Sequence, residues 1–380
     1  MAKIVYLDYA AATPLDKEVL SLMQPFFSVD FFNPSADYSA ARHVRQALDM
    51  ARSKIAYWLG AQANEIIFTA GGTEANNLAI HGVMAAYPSA KLLLSAIEHE
   101  SVRQPAARYN HQVIPVDNEG RISLSAVEKL IDDQVVLVSV MYANNEIGSV
   151  QPIREVGKVI EKVRDSRRNR GIELPLLLHV DACQAVNYLD LHVNRLGVDL
   201  MTINGGKIYG PKQSGALYVS RNAKLTPVIS GGGQERNLRS GTENVPADIG
   251  LAAALDFSQS SRREQTLKTE ELRDYFISKL EKTFKQVIIN GSRRFRLANN
   301  VHVTFPGQDN ESLLIGLDHN GVMAAAGSAC NASKEESSHV LLALGLSDAH
   351  ARASLRFSLG RATTKADIDY TIKILSSLVS

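Results

Sequence analysis

Short apolar runs alternate with amphipathic or polar stretches between residues 65 and 220. The runs cover residues 65–69, 91–95, 135–141, 174–180, 199–203 and 215–219. This alternation is typical of β–α–β units built around a mostly parallel sheet. Strands that are buried on both faces have continuous apolar sequences, which residues 174–180 resemble. The sequence therefore predicts an α/β fold whose ligands bind at the carboxyl ends of the strands.

The pattern of predicted helices and strands changes after Gly250, which indicates a second, smaller domain. The later segments are a charged helical region at residues 259–283, strands near Val287 and Val301, and a terminal helix at residues 366–378. A chain of 380 residues is longer than a single hydrophobic core usually supports. We predict a large domain over residues 16–250 and a small α+β domain formed by residues 1–15 and 251–380.

The composition favours small-molecule chemistry. Lys and Arg number 41 against 40 Asp and Glu, so no strong net charge would gather nucleic acid or an anionic membrane. The basic stretch at residues 164–170 is interpreted as a solvated helix end. No apolar run approaches the roughly 18 residues that span a bilayer, and the N-terminus lacks the pattern of a secretory signal. A cytoplasmic protein is expected. Cys183 and Cys330 are too few for a four-thiolate zinc site, and no metal site is predicted.

Asp181 and Lys207 follow two neighbouring apolar runs and together indicate a cofactor site. A carboxylate at the end of a buried strand is costly unless it is paired or hydrogen-bonded. Lys207 lies in a glycine-containing turn, where the backbone can approach a ligand closely. The pair fits pyridoxal phosphate, because the lysine amine forms a Schiff base and the acid keeps the pyridine nitrogen protonated. Taken singly, Asp181 could be a helix cap and Lys207 a solvated surface lysine.

Residues 70–77 run from an apolar strand into a helical pattern and could bind a phosphate. Free N–H groups at a helix N-terminus, together with the Thr73 hydroxyl, would face the anion. The pattern is neither a dinucleotide-binding nor a P-loop motif, and its glycine pair could equally form an ordinary tight turn. His99 follows another apolar strand, where it could stack on a flat ring or be a simple loop histidine.

Cys330 lies between a run of small residues and a polar segment, which predicts an accessible thiol. Cys183 fits better the buried, inert kind of cysteine. Arg356 alternates with apolar residues as in a strand. Its guanidinium could bind a substrate carboxylate through two hydrogen bonds, or it could form a structural salt bridge.

Taken together, these segments closely resemble the cysteine desulfurases of the NifS/IscS family, within the class V aminotransferase-like enzymes. The resemblance covers nearly the whole chain, with many motifs in the same order. The motifs are Tyr6-Leu-Asp-Tyr-Ala10, Asn33-Pro34, Phe68-Thr-Ala-Gly-Gly-Thr-Glu74, Asn144-Asn-Glu-Ile-Gly148, His179-Val-Asp-Ala-Cys-Gln184, Lys207-Ile-Tyr-Gly-Pro-Lys212, Arg239-Ser-Gly-Thr242, Gly327-Ser-Ala-Cys330 and Arg356-Phe-Ser-Leu-Gly-Arg361.

The resemblance implies the type I fold of pyridoxal-phosphate-dependent transferases, with the cofactor held mainly by the large domain. Lys207 would carry the cofactor and then move protons, Asp181 would pair with the pyridine nitrogen, and His99 would stack on the ring. The remaining cofactor contacts implied by the family are Gln184 and Asn145 at the ring oxygen, Gly72 and Thr73 at the phosphate, and Thr242 from the second subunit of a homodimer.

The same resemblance implies the reaction and its partners. Asn33 and Arg356 would bind L-cysteine, and Cys330 in the small domain would take its sulfur as a persulfide, leaving L-alanine. The sulfur would pass to an acceptor protein for iron–sulfur cluster, thio-cofactor or thio-tRNA synthesis.

Several positions depart from the family pattern. The family usually has Ser-Gly-His before the lysine, where this chain has Asn204-Gly205-Gly206, so we predict a changed affinity for the cofactor. Two other functions stay open. One is another class V activity, such as a selenocysteine lyase or an aminotransferase, for which Cys330 would be dispensable. The other is a degenerate subunit that binds the cofactor weakly and acts as an interaction scaffold.

Overall fold

A computed structural model describes residues 4–327 and 337–379 of the chain. The strands are β1 (Val5–Tyr6), β2 (Ile66–Thr69), β3 (Lys91–Ser95), β4 (His111–Ile114), β5 (Val135–Ser139), β6 (Leu177–Asp181), β7 (Leu200–Asn204), β8 (Gly215–Val219), β9 (Ile288–Ile289), β10 (Asn300–Thr304), β11 (Val322–Met323) and β12 (Ser354–Ser358). The helices are α1 (Lys17–Met23), α2 (Pro25–Ser28), α3 (Ser39–Leu59), α4 (Gly72–Ala86), α5 (Glu100–Ala106), α6 (Leu124–Leu130), α7 (Ile153–Asn169), α8 (Val193–Leu196), α9 (Val245–Ser260), α10 (Arg262–Thr283), α11 (Asn310–His319), α12 (His339–Ala343), α13 (Asp348–Ala351) and α14 (Lys365–Leu378).

The main sheet has seven strands in the order β2-β8-β7-β6-β5-β3-β4. Strand β8 runs antiparallel to both of its neighbours, and the other pairings are parallel. The predicted α/β fold with a mostly parallel sheet is confirmed. Within the described ranges, no helix combines the length and the apolar character needed to cross a membrane.

Hydrophobic cores cover both faces of this sheet, which explains the continuous apolar strands. Leu178 and Val180 of β6 face a core that also contains α3 and α9, whereas Leu177 faces a second core with α4 and α5. Successive side chains of a strand point to opposite faces. A strand covered on both sides therefore has few positions for polar residues.

Strand β4 was absent from the sequence prediction because it lies at the edge of the sheet. It pairs with β3 alone, and three of its four residues, His111, Gln112 and Val113, are exposed. An edge strand that is half covered needs no apolar run. Its sequence consequently resembles a loop.

The basic end of α7 was wrongly interpreted as wholly solvated. Arg167 is buried, and its guanidinium donates to the carbonyl oxygens of Asp132 and Val135 at 2.6 and 2.8 Å. Burial lowers its pKa from the ordinary value for arginine. Arg167 thus satisfies backbone acceptors at the start of β5, while Arg168 is largely exposed.

A separate hydrophobic core lies under β10 and β12 and is covered by α10, α11 and α14. The N-terminal β1 pairs with β11 and contributes to this core. Helix α9, by contrast, packs Leu251 and its neighbours into the core of the main sheet. We propose that the two cores correspond to two domains, with the second boundary between α9 and α10.

The direction of the strands decides where a site can form. Strands β2, β3, β5, β6 and β7 run the same way, so their carboxyl ends meet at one edge of the sheet. The segments that follow these ends carry most of the residues singled out from the sequence. Ligands of open α/β sheets bind at this edge.

Candidate active site

A cavity of about 210 Å³ lies at the edge of the sheet where β6 and β7 end. The predicted site residues that line it are Gly72, Thr73, His99, Asn145, Asp181, Gln184, Lys207 and Arg356. It joins a wider cavity of about 610 Å³ that shares Gly72, Thr73 and Lys207. The fold therefore brings together residues from separate segments of both cores.

Asp181 is the last residue of β6 and is only 6% exposed. Its carboxylate accepts hydrogen bonds from the Asn76 amide at 2.7 Å and from the backbone N–H of Cys183 at 2.9 Å. Donors of this kind stabilise a buried carboxylate. Asp181 is thus a fixed acceptor at the wall of the cavity.

A chain of hydrogen bonds connects Asp181 to His99 across the cavity wall. The Asn76 amide group that binds Asp181 also donates to the Ser101 hydroxyl at 2.8 Å, which lies 2.8 Å from His99 Nδ1. His99 caps helix α5, because Nδ1 accepts from the backbone N–H of Ser101 at 3.1 Å. Burial lowers the pKa of His99 and so favours the neutral ring. Because Nδ1 accepts a hydrogen bond, the proton of the neutral ring lies on Nε2. Nothing in the sequence indicated that Asn76 and Ser101 belong to the site, because the two residues are 25 positions apart and meet only in the folded chain.

Lys207 ends a short 3-10 turn that follows β7. Its Nζ donates to the carbonyl oxygen of Ala11 at 2.5 Å. The turn requires glycine at Gly205, because a Cβ there would lie 2.1 Å from the Ser214 hydroxyl. The tight turn brings Lys207 to the same cavity as Asp181, and it is part-buried rather than on the open surface.

Helix α4 begins at the wall shared by the two cavities. Gly71 has a φ of 130° and caps the helix without a side-chain hydrogen bond. The N–H groups of the first turn, starting at Gly72 and Thr73, have no acceptor within the helix. This arrangement forms a cradle of donors for an anion.

Gly72 also lets the start of α4 approach Cys183. A Cβ at Gly72 would lie 2.7 Å from Cys183 Sγ, so a larger residue would push the two segments apart. Burial, followed by the nearby Asp181 charge, raises the pKa of the Cys183 thiol well above its ordinary value. Cys183 lines the cavity but is a protonated, weak nucleophile.

Arg356 lies on β12 and is 2% exposed. Its Nη2 donates to Asp8 at 2.7 Å and its Nη1 to the carbonyl oxygen of Asn145 at 3.0 Å. Its Nε is buried without a hydrogen-bond partner in the described part of the chain. Arg356 therefore makes the structural salt bridge and also lines the cavity.

Glu98 is a buried acid that the sequence analysis did not single out. One oxygen accepts from the backbone N–H of Met141 at 2.6 Å, and the other has no partner within residues 4–327 and 337–379. Burial raises the pKa of Glu98 to about 8, with a smaller contribution from Asp181. Glu98 is thus mainly uncharged at neutral pH and adds no second negative charge beside Asp181.

Two predicted residues that the structure describes do not line these two cavities. Asn33 is exposed, and its side chain accepts from the backbone N–H of Ser35 at 2.9 Å. Thr242 is exposed and lines a separate crevice of about 220 Å³. Cys330 lies outside the described residues.

Comparisons with known proteins identify the family of the chain. Residues 5–371 match the family model "Aminotransferase class-V". The chain is 41% identical over 386 residues to "Cysteine desulfurase IscS" of Dictyoglomus turgidum, covering 100% of this chain and 95% of that protein.

Solved structures extend the similarity to the fold. The structure of a "NIFS-LIKE PROTEIN" has a TM-score of 0.90 and 30% identity, covering 99% of both chains. Another, "SspA in complex with cysteine", has a TM-score of 0.80 and 35% identity, covering 93% of this chain and 98% of that chain. The chain belongs to the class V aminotransferase family and, within it, to the cysteine desulfurases of the NifS/IscS type.

Proposed function

We propose that the chain is a pyridoxal-phosphate-dependent cysteine desulfurase that converts L-cysteine to L-alanine and passes the sulfur to an acceptor. The observation that carries the proposal is the meeting of Asp181, Lys207 and Arg356 around one cavity. The family membership supports this chemistry, and the related SspA structure is a complex with cysteine.

The residues around the cavity fit this cofactor. Free N–H groups at the start of α4 suit a phosphate, and the buried Asp181 suits a protonated ring nitrogen. Asn76 Oδ1 is a buried acceptor without a partner among the described residues. When bound, pyridoxal phosphate supplies an electron sink for a carbanion next to the amino group.

Each residue of the chain would then have a separate task. Arg356 would bind the carboxylate of cysteine, Lys207 would hold the cofactor covalently and move a proton at Nζ, and Asp181 would keep a proton on the ring nitrogen. The neutral His99 ring and the uncharged Glu98 would limit the charge in this buried site. Gln184 and Asn145 would orient the ring from the cavity wall.

The sulfur transfer would belong to Cys330. Its thiolate would attack the sulfur of the bound cysteine, forming an S–S bond as the C–S bond breaks. The electron pair of the broken bond would stay on carbon, which gains a proton to give alanine. A thiol of the acceptor, or an added reductant, would then release the sulfur from Cys330.

We further propose a cytoplasmic homodimer that serves iron–sulfur cluster or thio-cofactor synthesis. Thr242 would contact the phosphate from the second subunit, which is consistent with its exposure and its separate crevice in one chain. Asn33 is likewise exposed, and its part in substrate binding would depend on the assembled dimer.

The proposal is tested with purified protein supplied with pyridoxal phosphate, a thiol reductant and L-cysteine. We expect sulfide and alanine in equal amounts. L-selenocysteine and L-alanine are offered in parallel, since a selenocysteine lyase would use the first alone and an aminotransferase would turn over the second with a keto acid. A protein inactive on all of them would support the scaffold alternative instead.

Replacing Arg356 by lysine is expected to raise KM for cysteine by about 10- to 100-fold, because lysine keeps the charge but loses the planar fork. The kcat should fall less. Since Arg356 also pairs with Asp8, an Asp8→Asn variant and thermal unfolding of both proteins separate lost packing from lost recognition. An unchanged KM in a stably folded Arg356→Lys protein would remove Arg356 from substrate binding.

A further inference from the structure

The wider cavity beside Lys207 is the end at which the phosphate of the proposed cofactor would lie. The charged side chains that line it are Glu74, Lys207 and Lys212. Glu74 pairs with Arg239, whose Nε lies 2.8 Å from Glu74 Oε1. Lys207 is assigned to the covalent attachment. Among the described residues of this lining, Lys212 is therefore the remaining cation to balance a phosphate dianion.

Lys212 lies beside the bare backbone of Gly206. A Cβ built on Gly206 would lie 3.8 Å from both Cα and Cγ of Lys212. The same Cβ would lie 3.5 Å from Asn204 Oδ1. The alkyl chain of Lys212 thus starts next to the space that a side chain at position 206 would enter. Lys212 is exposed at the mouth of the cavity, where a phosphate group remains within reach of solvent.

Asn204 presents a hydrogen-bond donor to the same cavity. Its Oδ1 accepts from the backbone N–H of Gly206 at 3.0 Å, which orients the amide. Its Nδ2 would lie 3.4 Å from a Cβ on Gly72, at the start of α4. The amide nitrogen of Asn204 therefore lies beside the N–H groups that form the anion cradle.

We infer that Lys212 and the Asn204 amide recognise the phosphate group of the cofactor, with Lys212 supplying the balancing positive charge. The inference rests on the proposed cofactor. It assigns the phosphate of this chain to a lysine that follows Lys207 rather than to a side chain at position 206.

The test compares pyridoxal phosphate with pyridoxal, which lacks the phosphate. Dissociation constants for the full-length apoprotein are measured by the visible absorption that accompanies attachment to Lys207. Lys212→Met should weaken pyridoxal phosphate binding about tenfold and leave pyridoxal binding unchanged, because one charged contact is lost. The control is Lys224→Met, which removes an exposed lysine that lines neither cavity and should change neither constant.

A second variant tests the amide. Asn204→Asp keeps an oxygen for the Gly206 N–H but replaces the donor with a negative charge, so it should weaken pyridoxal phosphate binding more than tenfold and affect pyridoxal little. Equal losses for both ligands, or no loss in either variant, would overturn the inference. Failure of the parent to bind pyridoxal phosphate would instead overturn the proposed function.

Discussion

Replacing Lys207 by alanine is expected to reduce desulfurase turnover by roughly 10⁴-fold or more, because both the covalent attachment and the proton transfer at Nζ are lost. Alanine and sulfide release from L-cysteine measure the loss. The visible absorption of the lysine-bound cofactor should vanish in the same protein. Lys207→Arg should be equally inactive, since it keeps a cation that cannot form the covalent link.

This loss should be one of chemistry rather than of folding. The hydrogen bond from Nζ to Ala11 accounts for little of the fold's stability, because a typical hydrogen bond contributes only about 1 kcal/mol net. The thermal unfolding temperature of Lys207→Ala should therefore stay close to that of the parent. Turnover above a few per cent of the parent, with pyridoxal phosphate in excess, would show that Lys207 is not the attachment site.

Replacing Cys330 by serine is expected to lower the rate of sulfide release by roughly 10³-fold or more. The visible absorption of the bound cofactor should be kept. A serine hydroxyl cannot form the S–S bond that receives the sulfur. Cys183→Ala is the matched comparison. It should still release sulfide, because burial raises the pKa of the Cys183 thiol and leaves it protonated.

Single-turnover experiments sharpen this prediction. The parent incubated with one equivalent of cysteine and no reductant should carry a persulfide on the peptide that contains Cys330, detected by mass spectrometry as added sulfur. Persulfide on Cys183 instead, or full sulfide release by Cys330→Ser, would reassign the nucleophile.

The sequence predicted the buried strands well because burial on both faces leaves a clear apolar signal. Strands β5 and β6 overlap residues 135–141 and 174–180. Strand β4 could not be found in this way, since its exposed edge tolerates polar residues. Arg167 was misjudged for a related reason: its burial depends on carbonyl groups that tertiary packing brings to it.

The same limit applies to the site. Asp181 and Lys207 were found because Asp181 directly follows one apolar run and Lys207 lies just past the next, so the topology brings both to one edge of the sheet. Asn76 and Ser101 connect Asp181 to His99 through side-chain contacts that no spacing in the chain reveals. Lys212 gained a proposed role only when its position over Gly206 was known.

The cavity draws its residues unequally from the two hydrophobic cores. Asp181 and Lys207 belong to segments at the ends of main-sheet strands, whereas Arg356 lies on β12 of the three-stranded sheet. In the proposed roles, the groups that contact the cofactor and the group that binds the substrate carboxylate thus lie on separate sheets. Substitutions in β12 could therefore alter the binding of the carboxylate while the proposed cofactor contacts on the main sheet are left intact.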